Sequence, residues 1–82
     1  MPGKTSSKCI KVYKELGNNA INILKEMGLL NQDLRPRKEG NYLLIPIVNE
    51  KSLNEIGKFF PFEICNELFE EYKFKSKRLI LI

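Results

Sequence analysis

Residues 24–47 read LKEMGLLNQDLRPRKEGNYLLIPI, and the change of periodicity inside them decides the fold. Leu24 and Met27 close a stripe that starts at Ala20 and Ile23, spaced i, i+3, i+4 and i+7, while Lys25 and Glu26 fall away from its centre. Gly28 stands where a helix ends in left-handed backbone, and Leu29 beyond it is placed to fold back onto Leu24. The helical period is then lost. Residues 34–37 and 42–47 read as extended, with Gly40-Asn41 between them as a hairpin turn and Gly40 at positive φ. The run from Tyr42 is too short for a helix once Pro46 interrupts it, and it is apolar on both faces, which predicts burial between layers. Pro46 lacks an N–H and must face a free edge or mark a bulge; Pro36 says the same of its own strand.

Upstream, Ile10 and Val12 alternate with Lys11 and Tyr13 as a short strand with one face toward a core. Asn18 or Asn19 is the expected N-cap of the helix. Downstream, Ser52 and Glu55 form an S-x-x-E capping box ahead of Leu53, Ile56, Phe59 and Phe60. Gly57 weakens that second helix by roughly 1 kcal/mol relative to alanine, and Pro61 ends it. Phe62 and Ile64, alternating with Glu63 and Cys65, read as a last core strand running to Glu67 or so. The expected organisation is a flexible leader over residues 1–7, one domain over residues 8–75, and a tail or the start of a linker over residues 76–82. The order β-α-β-β-α-β is close to the split-βαβ arrangement. It predicts an α+β, two-layer domain: a small, mostly antiparallel sheet with two helices on one face.

Composition narrows the chemistry. Eighty-two residues make one domain, and no histidine is present, which removes a Ser-His-Asp triad, a Cys-His dyad and the common zinc sites. There is no GxGxxG or Walker loop. Glu67 and Glu71 would share one helical face, but among Lys73, Lys75 and Lys77 they read as surface charge. No apolar run approaches a membrane span. Cys9 and Cys65, without CxxC spacing, read as buried thiols in a reducing cytoplasm rather than as a disulfide.

The net charge of +4 lies wholly before Tyr42, where eight Lys and Arg stand against four acids; residues 42–82 balance. Its densest point is Arg35-Pro36-Arg37-Lys38. In an extended segment Arg35 and Arg37 share a face about 7 Å apart, close to the spacing of successive phosphates along a nucleic-acid strand. Asn41 and Tyr42 add an amide and a stacking plane beside them, and Lys11 carries further positive charge on the first strand. The candidate RNA-binding set is therefore Arg35, Arg37, Lys38, Asn41, Tyr42 and Lys11. The competing reading is a solvated edge strand charged against aggregation.

Residues 24–47, with FEICNELFEEYK at 62–73, resemble the N-terminal domain of the archaeal and eukaryotic tRNA guanine-N1 methyltransferases that act beside the anticodon. Related wybutosine-pathway enzymes are similar. The matching parts are the Gly28-Leu29-Leu30 turn, the basic stretch over residues 33–38 and the hairpin arm over residues 39–47, within a likeness covering residues 9–75. In such enzymes a separate domain binds S-adenosylmethionine and transfers the methyl group, while the small domain reaches the outer corner of folded tRNA. The resemblance implies a cytoplasmic tRNA-binding accessory domain, monomeric, with no cofactor and no catalysis of its own. Its partners would be tRNA and the catalytic domain of a longer parent chain. The alternative is a protein-interaction module, for which the apolar residues 79–82 are the motive.

Overall fold

A computed structural model describes residues 3–51 and 53–72. The apolar run after the Gly40-Asn41 turn becomes a strand paired on both sides. In chain order the elements are β1 (Lys4–Tyr13), a single 3₁₀ turn (Lys14–Leu16), α1 (Gly17–Glu26), β2 (Arg37–Glu39), β3 (Tyr42–Pro46), α2 (Leu53–Ile56) and β4 (Glu63–Glu70). The sheet order is β2-β3-β1-β4 with every neighbouring pair antiparallel. Because β1 and β2 both oppose β3, they run parallel with β3 between them, which is the split-βαβ topology.

The turn residues behave as their chemistry requires. Gly40 has φ 63° and among the described residues no non-glycine has positive φ, so the two-residue loop is of the II′ kind that matches strand twist. Gly28 has φ 72°. Around it the Leu29 N–H donates to the Leu24 carbonyl at 2.8 Å and the Gly28 N–H to that of Lys25 at 3.1 Å, a Schellman ending. Pro46 sits opposite Cys9, and the Ile47 N–H donates to the Lys8 carbonyl. The Pro46 nitrogen therefore points away from β1, beyond the end of β2, where no donor is needed.

Period two gives the sheet two apolar faces. On one, Ile10, Val12, Ile45 and Ile47 meet Ala20 and Leu24 of α1 and Leu53, Ile56 and Phe60 of the α2 region. On the other, Cys9, Leu44 and Phe69 form a second core that Leu34, from the α1–β2 connection, closes. The connection reaches there because Leu34 and Glu71 form an isolated bridge at the outer edge of β4.

Several expectations change. Residues 4–7, read as leader, are strand: β1 pairs with β4 from Lys4↔Glu70 onward. Neither Asn18 nor Asn19 caps α1. The helix starts at Gly17 behind Leu16, because the 3₁₀ turn carries the chain straight into it. A Cβ on Gly17 would come within 2.7 Å of Leu43 Cδ2, so glycine lets this end press on β3. The second helix is one turn long and stops at Ile56; i→i+3 bonds follow, and Phe59 is 64% exposed. With so little helix above it, β4 leaves Ile64 and Leu68 half exposed and turns Cys65 and Phe69 inward, the reverse of the expected faces. Cys9 and Cys65 stand directly opposite in the β1–β4 ladder, 4.9 Å apart at Cα, and form a disulfide. Fifty-six residues of sequence conceal that proximity, and only the strand register reveals it. Ser52 and residues 73–82, with the expected tail, lie outside the described residues.

Candidate nucleic-acid interface

Arg37 stands opposite Leu44 in the β2–β3 ladder, yet its side chain reaches β4 at the opposite edge of the sheet. Nη1 donates to the Leu68 carbonyl at 2.8 Å; Nη2 donates to Glu39 Oε2 at 2.9 Å and Glu67 Oε1 at 3.0 Å. The guanidinium carbon lies 5.8 Å from the Phe69 ring centroid. The Arg35 N–H donates to the Glu70 carbonyl at 2.9 Å and the Tyr72 N–H to that of Asp33 at 3.1 Å. The sheet therefore curls until its two edges meet across the second core. The hydrogen bond to Glu67, then that to Glu39, holds the Arg37 guanidinium above its usual pKa. Raised in the folded state, it contributes stability fully present throughout the neutral range and lost only in strong alkali.

That closure shapes a hollow of about 430 Å³ lined by Lys4, Arg35, Arg37, Lys38, Leu68 and Glu70. Arg35 lies over the Tyr72 ring, 4.9 Å from its centroid. The sequence-predicted cluster is thus brought together, but its members differ. Arg37 is committed to two carboxylates and a carbonyl, so the outward-acting charge comes from Arg35, Lys38 and Lys4 against Glu70. Lys4 was hidden in the stretch read as leader; only the β1–β4 register places it here.

Lys11 and Tyr42 lie elsewhere, in a second hollow of about 210 Å³ with Tyr13, Pro61, Phe62 and Glu63. Tyr13 faces Tyr42 across β1 and β3, and their rings stack at 5.2 Å with 25° between planes. The Lys11 ammonium sits 4.6 Å from the Tyr42 centroid. Tyr42, the expected stacking plane, already carries Tyr13 and Lys11; the more open ring is Tyr13, which is 50% exposed. Strand alternation alone puts Lys11 and Tyr13 on one face, a signal available before folding, but their juxtaposition with Tyr42 needs the register. Asn41 is exposed in the turn, where its carbonyl accepts from the Lys14 N–H at 2.9 Å.

A split-βαβ sheet with Lys11, Tyr13, Arg37 and Tyr42 on its helix-free face defines the class, a small α+β domain with helices on one side. The chain belongs to the tRNA methyltransferase 5 N-terminal domain family, whose model matches residues 9–52. It is 39% identical over 71 residues to the tRNA (guanine(37)-N(1))-methyltransferase Trm5b of Methanocaldococcus jannaschii, covering 84% of this chain and 21% of that protein. The crystal structure of M. jannaschii Trm5 in complex with adenosine superposes with a TM-score of 0.69 at 35% identity, over 90% of this chain and 24% of that one. That of the M. jannaschii tRNA m1G37 methyltransferase gives 0.69 at 36% identity, over 83% and 23%. The chain therefore spans about a fifth to a quarter of these relatives. The methyl donor their activity implies does not fit the turn that leads from β1 into α1. Gly17, at the junction of β1 and α1, has Leu43 against it where a nucleotide cradle would be open.

Proposed function

We propose that this chain is the tRNA-recognising part of an S-adenosylmethionine-dependent tRNA guanine-N1 methyltransferase, and that it seats the outer corner of folded tRNA. The observation that carries the reading is the hollow where Lys4, Arg35 and Lys38 converge, in a chain of this family. These cations sit on rigid strands and on a connection pinned at Leu34, so they present phosphate contacts in fixed positions, which suits a folded backbone better than a flexible one. Methyl transfer belongs to the catalytic domain of a longer parent chain, which works on tRNA in the cytoplasm. This part acts as a monomer and supplies binding without a cofactor.

The test is tRNA binding by Arg35→Ala/Lys38→Ala. Two lost phosphate contacts predict affinity reduced about tenfold or more and a shallower dependence on salt, since fewer counterions are released. Unchanged binding and unchanged salt slope contradict the reading. Half-exposed Ile64 and Leu68 on β4 favour a second one, in which this face docks on the catalytic domain. Under that reading Ile64→Ser weakens domain association and the Arg35/Lys38 variant does not.

A further inference from the structure

We infer that the Tyr13–Tyr42 stack, walled by Phe62 and flanked by Lys11 and Glu63, is a seat for one unpaired guanine base. The inference rests on the proposed tRNA binding and names a contact separate from the basic hollow, with which it shares no lining residue.

A cross-strand tyrosine pair can serve the sheet alone. Three features here go further. Tyr13 keeps half its surface open although its ring is already ordered by Tyr42, so a base stacking on it meets a pre-set plane and little side-chain entropy is lost. The ring does not stand on an open sheet but at a hollow of about 210 Å³, room for a single purine, with Pro61 and Phe62 as its apolar wall. The polar groups at that hollow are complementary in kind. Lys11, held by its contact with Tyr42, offers a cation for the nucleotide's phosphate. Glu63, opposite Lys11 in the β1–β4 ladder, offers a carboxylate that accepts hydrogen bonds.

The carboxylate selects the base. Ionised, it only accepts, and its two oxygens match two adjacent donors. Guanine presents N1–H beside its exocyclic N2 amine on one edge; adenine, cytosine and uracil each present a single donor group there. The base must be unpaired on that edge for Glu63 to reach it. Lys11 beside Glu63 offsets the repulsion a lone carboxylate would exert on RNA.

The experiment compares tRNA binding by the 82-residue chain with its Tyr13→Phe, Tyr13→Leu and Glu63→Gln variants, each with a melting curve. GMP, AMP, CMP and UMP titrations of the wild-type chain, followed by tyrosine emission, complete it; the chain has no Trp to mask the signal. The inference expects Tyr13→Phe to bind as wild type, Tyr13→Leu to bind about tenfold more weakly without loss of the fold, and GMP to quench more strongly than the others. Glu63→Gln should erase the preference for GMP. Full tRNA affinity in Tyr13→Leu, alongside weakened binding in the Arg35/Lys38 variant, overturns this seat and leaves the function standing. Absence of tRNA binding by the wild-type chain overturns both. If Tyr13→Leu does not fold, equal quenching by the four nucleotides still overturns the seat.

Discussion

Gly28 and Arg37 show two ways a single residue fixes this structure. At Gly28 the requirement is purely local. With φ 72° and nothing within 4 Å of an added Cβ, Gly28→Ala meets backbone strain and no clash. It should destabilise the chain by about 1 kcal/mol in urea unfolding, and Gly28→Asn by less. Such a residue is legible from sequence because a helix ending needs left-handed backbone wherever the rest of the chain goes. Arg37 is the opposite case. Its cluster is visible in the sequence as a phosphate-binding candidate, but its partners Glu67 and Leu68 lie thirty residues on and come close only when β4 curls round. Its side chain is 40% exposed, so Arg37→Ala should cost about 1 kcal/mol or less, a difference that shrinks in high salt.

Among the elements, the helix-free face of the sheet decides what the sequence could and could not tell. Leu34 is 3% exposed in the second core, so Leu34→Ala should cost about 2–4 kcal/mol, comparable with a residue beneath a helix. Ile64→Ala, on the face α2 fails to cover, should cost about 0.5 kcal/mol or less. Chemical denaturation of the two variants checks the contrast, and it runs against the alternation pattern read on its own. That pattern announces β4 and its period but not which face is inside, because the answer depends on how far α2 extends and where the α1–β2 connection lands. Gly57 and Pro61 mark α2 as weak, and the helix accordingly ends after one turn. The element order and the hairpin were legible because Gly28, Gly40 and Pro46 punctuate them. The site was legible in part: Arg35, Lys38, Lys11 and Tyr42 stand out by type and spacing. Lys4 and Tyr13 join them only through strand register.

For the molecule as a whole, the register makes one further commitment. The Cys9–Cys65 disulfide ties the central strand β1 to the edge strand β4 across 56 residues. Thiol titration of the unfolded, unreduced chain should find no free thiol, and reduction should lower stability by about 2–4 kcal/mol through the freed loop entropy. Two titrating thiols would return both cysteines to the role of buried apolar groups. The charge has the same whole-molecule character. A surplus of four is unremarkable for a small domain, but curling the sheet gathers Lys4, Arg35 and Lys38 at one hollow, beside Glu70 and the ion-paired Arg37, and leaves Lys11 at the tyrosine stack. Under the proposed function, cations fixed in this way favour a target that holds its phosphates in a fixed shape. The direct test is a titration of the chain with a tRNA transcript and with the same transcript altered in the D and T loops so that the outer corner cannot form. Binding at least about tenfold tighter to the intact transcript, at matched length and salt, is the predicted result. Equal affinity for the two would contradict recognition of the folded corner.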